Sequence, residues 1–360
     1  MPCGNIIGQK KTILMKVKNE LYSEYKKYSA NLIKVKNIKM INKIAVLTSG
    51  GDSPGMNAAV RAVVRTGVHN NLEVIGIHYG YQGLLEKKLL PLNLKSVGGI
   101  MQHGGTLLMT SRSEEFKRKE GVQKAANILR ENQIDALVVI GGNGSMAGAL
   151  DLYQLEQFPV ICLPATIDND LYGTDMCIGV DTALNTVISA IDKIKDTASS
   201  HRRAFIIEVM GRNSGYLALM SGIAGGAEHV LVPEFPANLD DVSNKMKKGY
   251  HRGKSHCIIL VAEGAGDVYD IGKYLEDKIG FEMRVTVLGY LQRGGFPSAF
   301  DRILASRLGA AAVEQLLDKK DHHMVGLFGN EIKVMPLAQV LARKNELRRT
   351  MYELANILAQ

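Results

Sequence analysis

Short apolar segments that alternate with longer amphipathic ones constrain the fold of this chain more than any other feature. The apolar segment IAVLTS (44–49) is followed by a helical pattern over Met56–His69 and then by EVIGIHY (73–79). The alternation continues with ALVVIGG, VICLPAT, AFIIEVMG, HVLVPE and CIILVAEG. Such near-continuous apolar strands are typical of parallel sheets that helices cover on both faces. The pattern therefore predicts a doubly wound α/β fold.

A long helix is predicted in the middle of the chain. Residues 181–196 carry apolar side chains at helical spacing from Leu184 to Ile194, and Asp181 is predicted to be the N-cap. We expect this helix to connect two lobes.

Composition excludes several classes of protein. The chain has 46% hydrophobic and 22% charged residues, which is ordinary for a globular protein, and no apolar run approaches the roughly 20 residues of a membrane span. Its four cysteines are scattered without a CxxC pair, so they indicate neither a disulfide framework nor a zinc site but buried thiols in a reducing cytoplasm.

The net charge of +8 is concentrated in the N-terminal segment. Residues 1–39 hold nine lysines, no arginine and two glutamates, so the other 321 residues carry only about +1. This distribution argues against a folded body that binds nucleic acid or anionic membranes. The segment has no apolar core of a secretory signal and no arginine of a transit peptide. We expect Met40 to be the true start of the protein and 1–39 to be a basic extension.

Three glycine-rich or acidic loops follow predicted strands: TSGGDSPG (48–55), IGGNGS (140–145) and PATIDND (164–170). Each loop alone is common in α/β proteins for packing reasons, but helix N-termini after strands also bind phosphate. Together with the carboxylates Asp168 and Asp170, the loops suggest a nucleotide held beside an acceptor that needs a general base. The Rossmann and P-loop motifs are absent, which weighs against a classical dehydrogenase or a P-loop NTPase.

Several arginines lie in or beside turns rich in glycine, serine or threonine. A solvated surface position is the ordinary reading of any one of them, but guanidinium groups are also the usual donors to phosphate, and their number favours that role. These arginines are Arg112, Arg203, Arg212, Arg284 and Arg293.

Eight motifs carry a specific family resemblance. They are LTSGGDSPGMNAAVRAVVR, GGTLLMTSR, VVIGGNGS, LPATIDND, DTASSHRRAFIIEVMGR, VAEG, RVTVLGYLQRGG and DRILASRLG. In this order and spacing, over about Met40 to Gln360, they closely resemble bacterial ATP-dependent 6-phosphofructokinases. The resemblance implies a kinase that transfers the γ-phosphoryl group of ATP to the C1 hydroxyl of fructose 6-phosphate with Mg²⁺.

The resemblance also implies roles for individual residues. Asp168 matches the general base and Asp170 its supporting carboxylate, while Thr166, Arg112 and Arg212 match groups that stabilise the transferring phosphoryl. The nucleotide-binding positions are Gly51, Arg112, Ser113, Asn143, Gly144, Ser145 and Met146.

For the sugar phosphate, the resemblance implies a pocket shared between subunits. Residues matching Arg203 and Arg284 reach in from a neighbouring subunit in the family, which implies a homotetramer. The implied substrate-binding residues are Thr166, Ile167, Asp168, Arg203, Met210, Gly211, Arg212, Glu263, Arg284, Tyr290 and Arg293.

The family also has an effector site that binds ADP or phosphoenolpyruvate at a subunit interface. One basic position of that site is missing here, because Leu94 stands where many relatives have arginine. The positions that match are Arg61, Arg65, Lys195, Glu228, Arg252 and Lys254.

Two substitutions depart from the family pattern at ligand positions. Asn143 replaces the aspartate of the family's magnesium motif, and its amide oxygen coordinates without the usual negative charge. Tyr290 replaces a histidine beside the sugar 6-phosphate and keeps a hydrogen-bond donor without a positive charge. Tyr216 also stands where aspartate is common. Asn143 and Tyr290 keep open the alternative of a catalytically impaired paralogue that regulates an active kinase. A kinase for another sugar phosphate such as tagatose 6-phosphate is a second alternative, although Met210 and Glu263 match a fructose 6-phosphate site.

Nucleotide choice and lobe boundaries complete the expectations. Relatives that use pyrophosphate have larger residues at the positions of Gly144 and Ala165, so ATP is favoured. We expect a cytoplasmic protein with a nucleotide-binding lobe and a sugar-phosphate-binding lobe. The first comprises 40–179 plus 292–342, and the second 180–291 plus 343–360.

Overall fold

The computed structural model describes residues 41–201 and 203–359, and the predicted basic extension 1–39 lies outside them. Most of the described chain alternates between strands and helices. The strands are β1 (Lys43–Thr48), β2 (Glu73–Ile77), β3 (Leu89–Leu92), β4 (Ala136–Gly141), β5 (Val160–Pro164), β6 (Ala204–Val209), β7 (His229–Leu231), β8 (Cys257–Ala262), β9 (Met283–Val287), β10 (His323–Phe328) and β11 (Glu331–Pro336). The helices are α1 (Met56–His69), α2 (Gly80–Leu85), α3 (Lys119–Glu131), α4 (Asn143–Glu156), α5 (Val180–His201), α6 (Tyr216–Gly225), α7 (Leu239–His251), α8 (Val268–Ile279), α9 (Ala299–Leu317), α10 (Leu337–Leu341) and α11 (Arg349–Leu358).

The strands form two sheets. A seven-stranded sheet has the order β11-β10-β5-β4-β1-β2-β3, and a four-stranded sheet has the order β7-β8-β6-β9. Only the outer strands β3 and β11 of the larger sheet pair antiparallel with their neighbours. The smaller sheet is entirely parallel. The predicted α/β fold with largely parallel sheets is therefore confirmed, whereas the boundaries of the two lobes stay a prediction.

Helices cover both faces of the large sheet, which explains why its central strands are apolar throughout. Ala45 and Leu47 of β1 belong to a core cluster that includes residues of α3 and α4. The alternate residue Ile44 points to the other face, where a Cβ placed on Gly67 of α1 would lie 3.5 Å from its Cδ1. Because successive strand side chains point to opposite faces, both sets are buried.

Two helices on that second face pack unusually closely. Gly309 of α9 lies against α1, and a Cβ at Gly309 would lie 2.7 Å from the Cβ of Ala62 and 2.9 Å from the carbonyl oxygen of Ala59. The contact therefore requires a glycine in α9.

The start of α5 differs from the sequence prediction. Asp181 lies inside the first turn of this helix and is not its N-cap. The first backbone N–H groups instead bind Asp301 of α9, a fully buried residue whose carboxylate accepts from Gly179 N and Thr182 N, both at 2.8 Å. The Thr182 hydroxyl donates to the same carboxylate at 2.5 Å. A distant buried aspartate satisfies the helix terminus, so the local sequence did not reveal its cap.

The remaining predictions of secondary structure hold with small shifts at the ends. The predicted helix Met56–His69 is confirmed, and EVIGIHY forms a strand that ends at Ile77 because Tyr79 adopts a left-handed conformation with φ of 61°. α5 connects β5 of the large sheet to β6 of the small sheet, and its role as the link between two lobes stays a prediction. No helix among the described residues is long and apolar enough to cross a membrane.

Candidate functional site

The three loops singled out in the sequence lie side by side at one edge of the large sheet. They follow β1, β4 and β5, which are adjacent and parallel. Backbone hydrogen bonds join them directly, from Ser49 N to Ile140 O and from Ala165 N to Gly141 O, each 3.0 Å. The carboxyl edge of a parallel sheet is where ligands bind in this class of fold.

The loops after β1 and β4 form a backbone cradle around Ser145. A Cβ on Gly141 would lie 2.5 Å from both the Ser145 Oγ and the Ser49 carbonyl oxygen, so only glycine allows this approach. Gly50 has φ of 87°, and a Cβ on it would lie 3.3 Å from the same hydroxyl oxygen. A Cβ on Gly144 would meet nothing within 4 Å, which leaves space in front of the first turn of α4. A helix N-terminus facing open space suits a phosphate group.

Not every predicted nucleotide position faces this cradle with its side chain. Met146 is fully buried in the core of the large sheet, and its N–H donates to Gly142 O. Arg112 is exposed. Its loop is attached to the cradle through Thr110, whose hydroxyl donates to Gly50 O at 2.5 Å. Ser113 caps the turn that follows by accepting a hydrogen bond from Phe116 N.

Asp168 is the most strongly perturbed carboxylate of the loop after β5. Burial is the main reason that its pKa is raised to about 6; the negative charges of Asp170 and Glu263 also raise it, and the guanidinium of Arg293 opposes the rise. Its own N–H donates to the Thr166 hydroxyl at 3.3 Å. A carboxylate with a pKa near the working pH suits a general base. Its neighbour Ile167 is buried in the core of the small sheet.

Asp170 and Asn143 face each other across the site. The Asn143 amide nitrogen donates to Asp170 Oδ2 at 2.8 Å. Burial raises the pKa of Asp170, while the hydrogen bond from Asn143 and the charge of Lys344 oppose the rise. The two side chains offer Mg²⁺ carboxylate and amide oxygens, the ligand types that it prefers. No group of three or more His, Cys, Asp or Glu side chains suited to a metal occurs among the described residues.

The small sheet contributes a second set of loops at its own carboxyl edge. Met210, Gly211 and Arg212 follow β6, Glu263 follows β8, and the turn Gly289–Gln292 follows β9. Gly211 has φ of 139° and accepts a hydrogen bond from Gly264 N, so the first two loops are in contact. Arg212 and Glu263 are both exposed.

Direct contacts connect the loops of the two sheets. The Ser214 hydroxyl donates to Asp168 O at 2.8 Å. Arg293 follows the turn after β9, and its side chain lies against the loop after β1, since a Cβ on Gly51 would lie 3.0 Å from its Nη1. The guanidinium carbon of Arg293 is also 5.5 Å from the centre of the Tyr290 ring, which is 79% exposed. Arg293 therefore lies between the nucleotide-type loop and the carboxylates.

Arg203 and Arg284 lie at the opposite edge of the small sheet. Arg203 precedes β6, and Arg284 pairs in register with Phe205 near the start of that strand. Six residues of β6 at about 3.3 Å each separate them from the Met210 turn by roughly 20 Å. Glu282 accepts from both arginines, at 3.4 Å from Arg203 Nε and 2.5 Å from Arg284 Nη2. Within one chain these two predicted substrate residues do not reach the site.

Two of the six predicted effector residues line a cavity, and the other four are not among its described lining residues. Glu228 and Lys254 line a small cavity of about 50 Å³ beside α7, and Lys254 also donates to Ala359 O at 3.2 Å. Burial lowers the pKa of His229, in the same cavity, to about 4. Lys195 donates to the carbonyl oxygens that end α6, and Arg252 caps the end of α7. Arg61 and Arg65 are neighbours on α1, and neither is among the described residues that line this cavity.

Several residues of the site were not singled out from the sequence. Gln292 was quoted only as part of a motif, yet its side chain is fully buried and contacts the Met210 turn. Asn345 binds the backbone of Asn169 and Asp170 from 175 residues further along the chain, as Asn345 N to Asp170 O at 3.3 Å and Asn345 Nδ2 to Asn169 O at 3.0 Å. No local pattern marks such a contact. Tyr216, to which the motifs assign no role, donates to Met176 Sδ at 3.4 Å.

Comparison with known proteins gives a consistent result. Residues 43–316 match the protein family described as Phosphofructokinase. ATP-dependent 6-phosphofructokinase from Clostridioides difficile is 54% identical over 316 residues, which cover 88% of this chain and 99% of that protein. The enzyme of the same name from Thermotoga neapolitana is 53% identical over 319 residues, covering 89% of this chain and all of the relative.

A solved structure agrees with the sequence comparisons. The structure of phosphofructokinase from Saccharomyces cerevisiae superimposes with a TM-score of 0.77 at 39% identity and covers 88% of this chain, which spans 46% of the yeast chain. With the paired carboxylates, the glycine cradle and the arginines already described, these matches lead to one conclusion. The chain belongs to the phosphofructokinase family.

Proposed function

We propose that this protein is an ATP-dependent 6-phosphofructokinase that converts fructose 6-phosphate to fructose 1,6-bisphosphate. The observation that carries the proposal is Asp168, a half-buried carboxylate with a pKa raised to about 6 beside a backbone cradle that fits phosphate. The identity to curated ATP-dependent 6-phosphofructokinases over nearly the whole of their length supports the same activity.

The proposed reaction is an in-line phosphoryl transfer. The C1 hydroxyl oxygen of the sugar attacks the γ-phosphorus of ATP, the bond from that phosphorus to the bridging oxygen breaks, and ADP leaves with its electron pair. Asp168 takes the hydroxyl proton. Arg112 and Arg212, both exposed in flanking loops, stabilise the charge on the transferring group, and Thr166 orients it. Arg293 lies between the cradle and Asp168 and is placed to bridge the two ligands.

Mg²⁺ is the proposed cofactor, and when bound it neutralises charge on the phosphate oxygens. Asp170 and the amide oxygen of Asn143 would hold it, with the nucleotide supplying most of its other ligands. Without metal, the Asn143 amide already orients the Asp170 carboxylate through a 2.8 Å hydrogen bond.

ATP is the proposed phosphoryl donor in preference to pyrophosphate. The space in front of Gly144 is open, as the room for a nucleoside requires, because a Cβ there would meet nothing within 4 Å. Ala165 is small and buried, so it presents no group that would fill that space.

We also propose that the sugar-phosphate pocket is completed by a second subunit of a homotetramer. Arg203 and Arg284 are roughly 20 Å from the Met210 turn of their own chain, the length of β6, so they serve a neighbouring copy. Exposed apolar side chains around the site support a subunit contact there. Those on the turn after β9 and the adjoining start of α9 are Leu291 (69% exposed), Phe296 (74%), Phe300 (41%) and Ile303 (61%).

Regulation and location are proposed from the same family membership. The cavity with Glu228 and Lys254 is the proposed effector site for ADP or phosphoenolpyruvate, completed by Arg61 and Arg65 at a subunit interface. We propose that the protein acts in the cytoplasm.

The decisive experiment measures coupled kinase activity of the full chain with ATP and Mg²⁺, beside Asn143→Asp. Robust turnover of fructose 6-phosphate by the unmodified protein is expected. Turnover only in Asn143→Asp would instead support the alternative of a regulatory paralogue. Tagatose 6-phosphate and pyrophosphate in place of the natural substrates test the acceptor and the donor in the same assay, and a higher kcat/KM with either would overturn that part of the proposal.

A complementation experiment tests the shared pocket. Asp168→Asn and Arg203→Ala are each expected to be inactive, since each damages every site of its homotetramer. Refolding an equal mixture gives sites that combine an intact Asp168 from one variant with an intact Arg203 from the other, in about a quarter of cases. Recovery to about that share of wild-type activity supports a shared site, and no recovery in mixed tetramers would contradict it.

A further inference from the structure

Gln292 is a fully buried polar side chain that the catalytic scheme does not use. It ends the short turn Gly289–Gln292 after β9, and its exposed fraction is zero. Burying an amide without partners is costly, so its hydrogen bonds identify what it does.

Both ends of the Gln292 amide are bonded to loops of the proposed sugar-phosphate pocket. Oε1 accepts from the backbone N–H of Met210 at 3.1 Å, at the start of the turn that carries Gly211 and Arg212. Nε2 donates to Gly289 O at 3.0 Å, within its own turn. The next residue along the chain is Arg293.

The Gln292 amide therefore connects two groups of binding residues that come from different strands. On one side, the Met210 turn has a glycine at φ of 139° and is free of other regular structure. On the other side, Gly289 has φ of 48° and begins the turn that positions Tyr290 and Arg293. The guanidinium of Arg293 interacts with Asp168, so a rotation of its turn would move that guanidinium relative to the sugar-phosphate residues.

We propose that Gln292 is a positioning residue for the sugar phosphate, which fixes the Met210–Arg212 turn relative to Arg293. The inference rests on the proposed function, because its kinetic test compares the KM for fructose 6-phosphate with the KM for ATP. It predicts that loss of the amide weakens sugar-phosphate binding while ATP binding, which depends on the loops after β1 and β4, is unchanged. A role limited to folding would lower stability without separating the two substrates.

The first test replaces the amide by an apolar side chain of similar size. Gln292→Met leaves the Met210 N–H and the Gly289 carbonyl without their partner. The KM for fructose 6-phosphate is expected to rise on the order of tenfold to a hundredfold, as the loss of buried hydrogen bonds implies, with the KM for ATP unchanged. Gln315→Met is the matched control, because the Oε1 atom of Gln315 in α9 is buried with no hydrogen-bond partner among the described residues. This control is expected to keep both KM values.

A second test makes the hydrogen bonds depend on pH. In Gln292→Glu, the protonated carboxyl group still accepts from Met210 N–H and donates to Gly289 O, whereas the carboxylate has no proton to donate. Full burial raises the pKa of such a carboxyl group by several units. At each pH, the KM of Gln292→Glu for the sugar phosphate is divided by the KM of the wild type. This ratio is expected to be near one at pH 5.5 and to rise by pH 8.5.

A measurement without turnover separates this inference from the proposed function. Hydrogen exchange of peptides that span 204–216 is expected to be faster in Gln292→Met than in the wild type, and unchanged in Gln315→Met. An inactive wild type would refute the proposed function, while faster exchange would still support the connection to the Met210 turn. Unchanged exchange, equal changes in both KM values, or a KM ratio independent of pH in Gln292→Glu would each overturn the inference.

Discussion

Replacing Asp168 by asparagine is expected to stabilise this protein at pH 8 while it abolishes turnover. The carboxylate lies in a half-buried position near Asp170 and Glu263, and burial together with these charges raises its pKa to about 6. The folded protein therefore binds a proton at Asp168 more tightly than the unfolded chain does. An asparagine keeps the shape of the side chain and removes the charge that the site disfavours.

The size of the effect follows from the pKa. The shift from the usual value of 3.8 to about 6 is roughly two units, which corresponds to about 3 kcal/mol in the free energy of unfolding. Solvent at a partly accessible site lowers this to about 2 kcal/mol. Because the pKa of Asp168 is raised in the folded protein, the stability linked to its protonation is fully present below pH 4. It is lost as the pH rises through about 6. The gain from Asp168→Asn is thus present at pH 8 and absent at pH 4.

Urea unfolding of the metal-free protein at the two pH values measures this gain. The midpoint of Asp168→Asn is expected to exceed that of the wild type at pH 8 and to match it at pH 4. Asp151→Asn, at an exposed position of α4, serves as the control and is expected to change neither midpoint. A midpoint for Asp168→Asn below the wild type at pH 8 would refute the reasoning, since it would mean that Arg293 and local hydrogen bonds outweigh burial.

Three further predictions concern catalysis, folding and substrate affinity. The kcat/KM of the wild type is expected to fall as the pH drops below about 6, where Asp168 gains its proton, and an acid limb near pH 4 would argue against Asp168 as the base. Asp301→Ala is expected to lower the free energy of unfolding by about 3 kcal/mol in urea titrations, because three donors lose a buried carboxylate; a loss below about 1 kcal/mol would contradict this. Tyr290→His is expected to lower the KM for fructose 6-phosphate several-fold at pH 6 but little at pH 8, as a chargeable donor is restored.

The sequence predicts the central strands well because their apolar character has one physical cause. β1, β4, β5 and β8 are buried on both faces, and each appears as an apolar run that ends at a loop. β9 was not predicted, since only Met283 of its five side chains is buried and the others include Arg284 and Thr286. An edge strand of this kind owes its conformation to pairing with β6, which is a contact distant in sequence.

The residues of the candidate site also divide into those that the sequence predicts and those that only the structure reveals. Its loops could be predicted, since the carboxyl ends of adjacent parallel strands meet at one edge, and the family motifs assign roles to Asp168 and Asp170. The residues that hold these loops together could not be predicted, because Ser214 and Gln292 bond to backbone groups in loops that follow other strands. Hydroxyl and amide side chains bond to any backbone group within reach, so their partners depend on tertiary structure.

The position of Arg203 and Arg284 shows why the chain's own topology bears on its assembly. A parallel strand has its two ends about 20 Å apart when it is six residues long, and β6 carries Arg203 before its start and Met210 after its end. No loop movement short of unfolding β6 brings Arg203 to the Met210 turn. Both arginines are about half exposed and share the carboxylate of Glu282, so they remain available to an incoming dianion. If these arginines bind the sugar phosphate, the site has to be completed by a second copy of the chain.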